Sequence, residues 1–568
     1  MGINWFQVIM TLLGGLAVFI YGMNLMSDGL QKAAGEKMRN ILALLTKNPI
    51  IGILAGALTT AVLQSSSATT VMVIGFVSAG LMNLPQAISI ILGANIGTTI
   101  TAQLIAFKVG DYVWVFILIG FVMYFFMKKE YWVNVGQTIF AFGLLFMGIN
   151  TMGDVMKPIA AMPEVAQMFL SVKEIPILGV LIGTLVTLVI QSSSASIAVL
   201  QNLASQAGPD GISSIIGLEG ALPILFGTNI GTTITAVLAS IGASVNAKRT
   251  AAAHIIFNVT GSILFMFFIP LYSKFIQYIS PTGIEFQVVS RQIANAHMFF
   301  NIINTIIFLP FIWLLVKVVM KIIPGKDNDR LPSQPVYLDY NIIEQPVFAI
   351  HLATKELSRI ANFTLEMITD AKKSFLANDT QALNHVFETE DIVNTLQDET
   401  VKYLATIFAT DTLTEHQAKI VSGLIHMATD IEHIGDNCTN IAEFTKEKIK
   451  HGYEFSDSAC AEIYECFDQA SRMTRDTIKA FENGDINLAN DILIQEEDMN
   501  RTEQRLKKEH IKRLYDKTCS PEFTVMYTDI VHNIERIGDS CKNIAEAVLE
   551  DIHFNESNII NKEIKDSI

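Results

Sequence analysis

The chain has 568 residues, is 51% hydrophobic and has a mean hydropathy of +0.39, which is too apolar for a soluble protein of this length. Its charge is uneven: the first 323 residues carry a net +5 and the remainder carries −20, which gives the −15 of the whole chain. These properties predict a membrane domain followed by an acidic soluble domain, and they argue against nucleic acid as a partner.

Membrane spans are predicted wherever about 20 apolar residues run without interruption. The first, near 5–27, lacks the basic start and the small-residue cleavage site of a signal peptide, so it is predicted to remain as a span. Further spans are predicted near 112–127, 134–151, 251–272 and 292–322. Together these segments define a predicted membrane domain over 1–323.

Three sequence blocks occur twice, in the same order, within this domain. FIYGMNLMSDG (19–29) resembles LFMGINTMGDV (145–155), QSSS at 64–67 recurs at 191–194, and GANIGTTITA (93–102) recurs as GTNIGTTITA (227–236). Matched blocks at nearly constant offsets indicate a duplicated fold. We predict repeat one at about 5–110 and repeat two at about 134–245.

The two copies are predicted to have opposite orientations. Each QSSS would form the tip of a re-entrant hairpin, and each GxNIGTT would break one spanning helix. The chain then crosses the bilayer seven times, and ten Lys and Arg residues lie inside against five outside, as the positive-inside rule requires. Inverted repeats whose broken helices meet near the bilayer midplane are an architecture of secondary transporters.

The interrupted segments predict a binding site for a small, highly charged anion, because the free N–H groups at helix N-termini attract anions and Ser and Thr are favoured there as N-caps. These segments contain no charged residue and no His, so sodium bound with the substrate fits the charge balance better than protons do. The alternative is that the small residues only pack helices closely. The predicted site comprises Gln64, Ser65, Ser66, Ser67, Asn95, Thr98, Thr99, Gln191, Ser192, Ser193, Ser194, Asn229, Thr232 and Thr233.

The twin QSSS blocks, the twin GxNIGTT blocks and the start FxxGMxxMxxGL resemble the sodium/phosphate cotransporter II family in its bacterial form, over about 1–320. The resemblance implies sodium-driven movement of phosphate, with the segments Gln64 to Ser67 and Gln191 to Ser194 lining the phosphate and sodium sites. It also implies a multi-pass protein of the bacterial plasma (inner) membrane. The sodium stoichiometry, the direction of transport and any homo-oligomer are left open.

AAAHIIFN (251–258) and ANAHMFFN (294–301) also match each other. In each, the His and the Asn are four residues apart and share one face of a helix: His254 with Asn258, and His297 with Asn301. We expect interhelical hydrogen bonds from these side chains, with a proton relay as the alternative.

Beyond the membrane domain, residues 324–342 are rich in Pro and polar residues and are predicted to be a linker. Helical periodicity dominates the acidic region 343–555, and a tail is predicted at 556–568. DIEHIGDNCTNIAE (430–443) resembles NIERIGDSCKNIAE (533–546), which predicts two three-helix units in one bundle. The five Cys residues of this region fit no disulfide framework or zinc site and are expected to be reduced thiols.

Paired carboxylates recur in both units. Clustered carboxylates repel unless a cation lies between them, so a multivalent metal site is one interpretation and a solvated acidic face is the other. The doubled motif ExIGDxxxNIAE resembles the PhoU phosphate-regulatory domain over about 340–551, which implies cytosolic placement and carboxylate-bound metal. The candidate metal ligands are Glu390, Asp391, Glu432, Asp436, Glu497, Asp498, Glu535 and Asp539.

These features together predict an all-α protein: a polytopic membrane transporter with inverted repeats and re-entrant hairpins, joined to a soluble six-helix PhoU-like bundle. The predicted function is sodium-coupled symport of inorganic phosphate, regulated by the cytosolic bundle. Transport of sulfate or a dicarboxylate, and phosphate sensing without transport, remain as alternatives. No P-loop, nucleotide fingerprint or nucleophile–base pair occurs in the sequence, so an enzyme is not expected.

Overall fold

The computed structural model describes residues 5–34, 48–107, 112–160, 162, 174–208, 210–325, 331–410, 413–519 and 521–552. These residues form helices and include no β-strand, so the predicted all-α class is confirmed. The chain divides into two compact units, Met1–Asp327 and Asn328–Ile568, and the division falls within the predicted linker. The predicted tail, 556–568, lies outside the described residues.

Within the described residues, the first repeat of the N-terminal unit contains five helices. They are α1 (Trp5–Ala34), α2 (Pro49–Leu63), α3 (Ser66–Ser78), α4 (Leu84–Gly97) and α5 (Thr99–Ile105). Nine helices follow in the part of this unit that the structure describes: α6 (Val113–Phe126), α7 (Glu130–Ala160), α8 (Pro176–Ile190), α9 (Ser193–Ala204), α10 (Gly217–Ala239), α11 (Val245–Met266), α12 (Ile269–Ile279), α13 (Glu285–Phe308) and α14 (Ile312–Ile322).

Several of these helices are long and apolar enough to cross a membrane. Within the described residues they are Trp5–Ala33, Leu84–Ile105, Glu130–Lys157, Gly217–Ala239 and Glu285–Ile322. α11 and α12 add a sixth candidate, but α12 leaves α11 at an angle of 90°. The predicted span 251–272 is therefore not one straight helix, and Pro270 at the start of α12 supplies a physical reason for the break.

Within each repeat, the helix before QSSS packs along the helix that carries GxNIGTT: α2 along α4, and α8 along α10. Glycine allows this close approach. A Cβ added at Gly93 of α4 would collide with the carbonyl oxygen of Ile53, and a Cβ at Gly227 of α10 would collide with that of Val180. These four residues occupy matched positions of the two repeats, so the duplication extends from sequence to packing.

The prediction that GxNIGTT breaks a spanning helix is wrong. α10 runs without interruption through Thr232 and Thr233, and Thr98, between α4 and α5, keeps right-handed helical angles (φ −62°, ψ −21°). In a bilayer the backbone must keep its intrahelical hydrogen bonds, and glycine's missing side chain instead allows helices to approach each other. The helix-packing interpretation therefore applies to GxNIGTT.

The described residues of the C-terminal unit form six long helices, as predicted. They are α15 (Pro346–Ala377), α16 (Thr380–Phe408), α17 (Glu415–His451), α18 (Asp457–Asn483), α19 (Ile486–Tyr515) and α20 (Thr524–Leu549). α15–α17 pack together, α18–α20 pack together, and α17 lies against α20. At that contact Asn440 Nδ2 donates to Asn533 Oδ1 (3.1 Å) and Asn543 Nδ2 donates to Asp430 Oδ1 (2.9 Å).

Candidate functional site

Each QSSS segment forms a sharp turn between two helices. Gln64 ends α2 in the left-handed conformation (φ 51°, ψ 20°), and Gln191 ends α8 in the same way (φ 56°, ψ 20°). Few residues other than glycine adopt this conformation without cost. Its use at two matched positions ends each helix without glycine and places a Gln side chain at each turn.

The first Ser of each QSSS caps the helix that follows, as the sequence predicts. Ser65 Oγ accepts a hydrogen bond from Ala68 N (3.1 Å), and Ser192 Oγ accepts one from Ala195 N (3.2 Å). Helices α3 and α9 therefore begin at Ser66 and Ser193, one residue after each cap. The remaining free N–H groups of these first turns give each N-terminus a partial positive charge.

Both turns line a single cavity of about 170 Å³, which we call the QSSS cavity. One water molecule needs roughly 15 Å³ of such space, so the cavity can hold an anion of the size of phosphate together with small cations. None of the described residues that line it is charged. Its lining residues are Met23, Asn24, Ser27, Leu63, Gln64, Ser65, Ser66, Ser67, Thr98, Gln191, Ser192, Ser193 and Ser194.

The two Gln side chains are not equivalent. Gln64 is 6% exposed; its Nε2 donates to Ala61 O (2.5 Å), and its Oε1 accepts from Thr101 Oγ1 (2.8 Å). Gln191 is exposed. Thr235, the counterpart of Thr101 in repeat two, lies instead against Ser67 Oγ of repeat one (3.3 Å). Side-chain hydrogen bonds thus hold Gln64 in the first turn, whereas the Gln191 side chain of the second turn is exposed.

Of the six residues predicted from GxNIGTT, only Thr98 lines the QSSS cavity. The other five bind the backbone of their own helices, which leaves their donor groups already used. The bonds run from Asn95 Nδ2 to Ile91 O, Thr99 Oγ1 to Ile96 O, Asn229 Nδ2 to Leu225 O, Thr232 Oγ1 to Thr228 O and Thr233 Oγ1 to Ile230 O. Among the described helices, the N-termini of α3 and α9 therefore reach the cavity, and the GxNIGTT segments contribute none.

Sequence reasoning missed the residues that α1 contributes. Met23, Asn24 and Ser27 line the cavity, and Ser27 Oγ donates to Leu63 O (2.6 Å), which ties α1 to the end of α2. The repeated block at 19–29 contains the polar residues Asn24 and Ser27, and its recurrence at 145–155 is the sequence signal that points to α1.

The predicted interhelical hydrogen bonds of the buried His residues are absent from the described residues. Both ring nitrogens of His254 and of His297 are buried without a partner. The neighbouring amides turn back on their own helices, since Asn258 Nδ2 donates to His254 O (3.0 Å) and Asn301 Nδ2 donates to His297 O (2.9 Å).

In the C-terminal unit, the first copy of the motif brings three predicted carboxylates together. Burial raises the pKa of Glu390 on α16 and of Glu432 on α17, and the nearby charge of Asp436 raises both further. Asp391 is exposed.

In the second copy, two predicted residues point elsewhere. Glu497 and Asp498 form exposed ion pairs with Arg501 of their own helix (both 3.2 Å), so they do not join Glu535 and Asp539. Glu496, which precedes Glu497 on α19, lies near Asp539 instead. Burial raises the pKa of Asp539 most, and the charge of Glu496 raises it further.

The carboxylate of Glu535 lies in the most crowded part of this cluster. Ligand atoms of Glu503, His532 and Glu535 lie within 4.8 Å of one another. Burial, and then the charges of Asp539 and Glu503, raise the pKa of Glu535 to about 7. Oxygen and imidazole ligands at this spacing suit a first-row divalent cation.

Known protein families match both halves of the chain. The family described as Na+/Pi-cotransporter matches residues 18–154 and 156–288, and the PhoU domain matches residues 357–445 and 463–548. Each match occurs twice, in agreement with the predicted duplications. Neither is an enzyme family.

Individual relatives extend these matches. The uncharacterised protein YqeW of Bacillus subtilis is 35% identical over 263 residues, which cover 46% of this chain and 83% of YqeW. YjbB of Salmonella typhimurium, provisionally named an inorganic phosphate export protein, is 23% identical over 95% of this chain and 97% of YjbB. Sodium-dependent phosphate transport protein 2A of Rattus norvegicus is 36% identical over 18% of this chain and 16% of that protein. The chain therefore belongs to the Na+/Pi-cotransporter family and carries a PhoU domain in its C-terminal half.

Proposed function

We propose that this protein is a sodium-coupled symporter of inorganic phosphate in the plasma membrane and that the QSSS cavity is its binding site. The observation that carries the proposal is that two turns from distant parts of the chain line one small polar cavity. A phosphate ion there would meet the N-termini of α3 and α9, which favour an anion. Hydroxyl groups and the amide of Gln64 complete the set of polar contacts.

The uncharged lining is the argument for sodium. Moving an isolated ion into a medium of low dielectric constant costs on the order of 10 kcal/mol, and two helix N-termini offset only part of this. Sodium ions that bind together with phosphate would supply the missing positive charge. The serine hydroxyls and amide oxygens of the cavity are hard oxygen ligands of the kind that sodium accepts.

A second candidate function, the export of phosphate, also has support. YjbB matches nearly the whole chain, and its name assigns it to phosphate export. The rat relative is named for sodium-dependent phosphate transport. We favour sodium-driven uptake because the described lining of the cavity carries no charge, so that phosphate would bind there with sodium ions and an inward sodium gradient would carry both into the cell.

The decisive experiment measures radiolabelled phosphate flux into proteoliposomes that contain the full chain. An inward sodium gradient is expected to raise the initial uptake rate about tenfold over an equal potassium gradient, as coupling to sodium requires. Binding without flux would support the phosphate-sensing alternative. Sodium-independent efflux would support export. Stronger competition by sulfate or succinate than by unlabelled phosphate would assign the cavity to another anion.

The same assay tests whether the PhoU domain regulates transport. We propose that it does, because the chain joins two phosphate-linked modules. A chain that ends at residue 339 is expected to take up phosphate with an altered dependence on internal phosphate. Identical uptake by the full and the shortened chains at every phosphate concentration would count against regulation.

We also propose that Glu503, His532 and Glu535 bind a divalent cation in the PhoU domain. Their ligand atoms lie within 4.8 Å of one another, and burial, followed by the charges of Asp539 and Glu503, raises the pKa of Glu535. In the absence of metal, ionisation of Glu535 is unfavourable in the folded state, so stability should fall as the pH rises from about 5 to 8. A bound cation would reverse this loss.

At pH 8, saturating Mn²⁺ is therefore expected to raise the melting temperature of the full chain in detergent by about 5 °C. Glu535→Gln should abolish this rise and should weaken the pH dependence of stability, because glutamine resembles the protonated carboxyl group. Glu497→Gln is the matched control, since Glu497 is exposed and paired with Arg501. An equal response of Glu535→Gln and wild type to Mn²⁺ would contradict the proposed site.

A further inference from the structure

A second cavity, of about 690 Å³, lies at the opposite end of helix α9 from the QSSS cavity. Ser193 and Ser194 at the start of α9 line the QSSS cavity, whereas Gln201 and Asn202, two turns later, line the second one. An α-helix rises 1.5 Å per residue, so roughly 10 Å of one helix separates the two linings. The larger cavity is therefore adjacent to the smaller one along a shared wall.

The second cavity contains a cation that no described carboxylate neutralises. Arg291 of α13 lines it, its Nη1 donates to Gln103 Oε1 (2.8 Å), and its guanidinium lies 4.4 Å from the ring centre of Phe107. These are neutral partners. The other two ionic residues of the lining, Asp154 and Lys157, pair with each other at 2.7 Å. The described lining therefore has a net charge of +1, in contrast to the uncharged QSSS cavity.

Two amide side chains in the lining of the same cavity have acceptor oxygens without partners. Gln201 Nε2 donates to Ala102 O (3.1 Å) and to Ser290 O (3.0 Å), the residue before Arg291. Asn202 Nδ2 donates to Ile149 O (2.8 Å). Gln201 Oε1 and Asn202 Oδ1 are both buried without a hydrogen bond. A buried acceptor of this kind is costly, and a hydroxyl group from a ligand or from water would satisfy it.

We propose that this second cavity is an access site where hydrogen phosphate binds before it reaches the QSSS cavity. Arg291 binds the charged oxygens, and the amide oxygens accept the P–OH group. A cavity with both a cation and free acceptors fits an oxyanion that still carries a proton at neutral pH, a property of phosphate that sulfate lacks. The inference rests on the proposed function and adds a binding site outside the sequence motifs.

The test is the concentration dependence of phosphate flux in proteoliposomes. Arg291→Gln is expected to raise KM for phosphate about tenfold with a maximal rate within twofold of wild type, because a charge-assisted contact is lost before the transport step. Asn202→Asp, which keeps the shape but adds a negative charge, should raise KM as well. Lys274→Gln removes a charge from exposed α12, away from the cavity, and should leave KM unchanged.

If Arg291 had only a structural role, KM for phosphate would not depend on the sign of the charge at this position. In Arg291→Cys, a cationic methanethiosulfonate should lower KM towards that of wild type, and an anionic one should raise it further. Equal effects of the two reagents, or a wild-type KM in Arg291→Gln, would overturn the proposal. Absence of flux in wild type would count instead against the proposed function.

Discussion

Replacement of Gln64 by Ala is expected to reduce sodium-dependent phosphate flux by about a hundredfold. Gln64 joins Ala61 O to Thr101 Oγ1 at the tip of the first hairpin, and its loss leaves the Thr101 hydroxyl without its acceptor. One such loss costs about 1–3 kcal/mol, and a lost contact with the substrate adds a similar amount. Together they correspond to roughly two factors of ten in rate.

Gln191→Ala is expected to have a smaller effect, about tenfold, because Gln191 is exposed and lacks the bridging contacts of Gln64. The difference between the two variants therefore measures the asymmetry of the two turns. Gln277→Ala, on the exposed side of α12, is the control and should transport normally. Wild-type flux in both Gln64→Ala and Gln191→Ala, at equal amounts of folded protein, would refute the assignment of the QSSS cavity as the binding site.

The QSSS turns could be predicted from the sequence because the signal is local. A Ser after an apolar run is an N-cap whether the surroundings are water or lipid, and Ser65 and Ser192 both cap helices. That the two turns share a cavity followed from the duplication, which a repeat search detects without knowledge of packing. Both inferences depend on few long-range contacts.

The role of GxNIGTT could not be predicted in the same way, because Gly and Thr have opposite effects on helices in water and in a bilayer. In soluble proteins they interrupt helices, whereas in the N-terminal unit Gly93 and Gly227 provide close helix contacts, and Thr232 and Thr233 bind their own helix backbone. Only the three-dimensional packing distinguishes the two cases.

Two of the candidate metal ligands, Glu497 and Asp498, could have been left out on the basis of the sequence alone. Ile492, Glu496, Met499, Glu503 and Leu506 recur at intervals of three and four residues, so they lie on one face of α19. The apolar members of this stripe are buried, and Glu496 and Glu503 lie with them beside the motif on α20. A choice based on apolar periodicity, and not on adjacent acidic residues, would have selected Glu496 and Glu503. It would have left out Glu497 and Asp498.

The close helix contacts at Gly93 and Gly227 predict that alanine at either position lowers stability and phosphate flux. Gly93→Ala is expected to destabilise the N-terminal unit by about 3 kcal/mol and to abolish most phosphate flux, because the new Cβ would meet the Ile53 backbone, which cannot move aside as a flexible side chain can. Gly227→Ala should have the same effect through Val180. Thermal unfolding of the full chain in detergent, followed by loss of the monodisperse peak in size-exclusion chromatography, measures the change.

Gly14→Ala in α1 is the matched control, since no atom lies within 4 Å of the added Cβ. Alanine is the better helix former by about 1 kcal/mol, so this variant should be as stable as wild type or slightly more stable. The contrast matters because any Gly-to-Ala change gains the same helix propensity, so the predicted loss at Gly93 and Gly227 must come from contact between helices. If Gly93→Ala unfolds at the temperature of wild type, α2 and α4 can separate without cost, and the close packing that positions the first QSSS turn would not be needed.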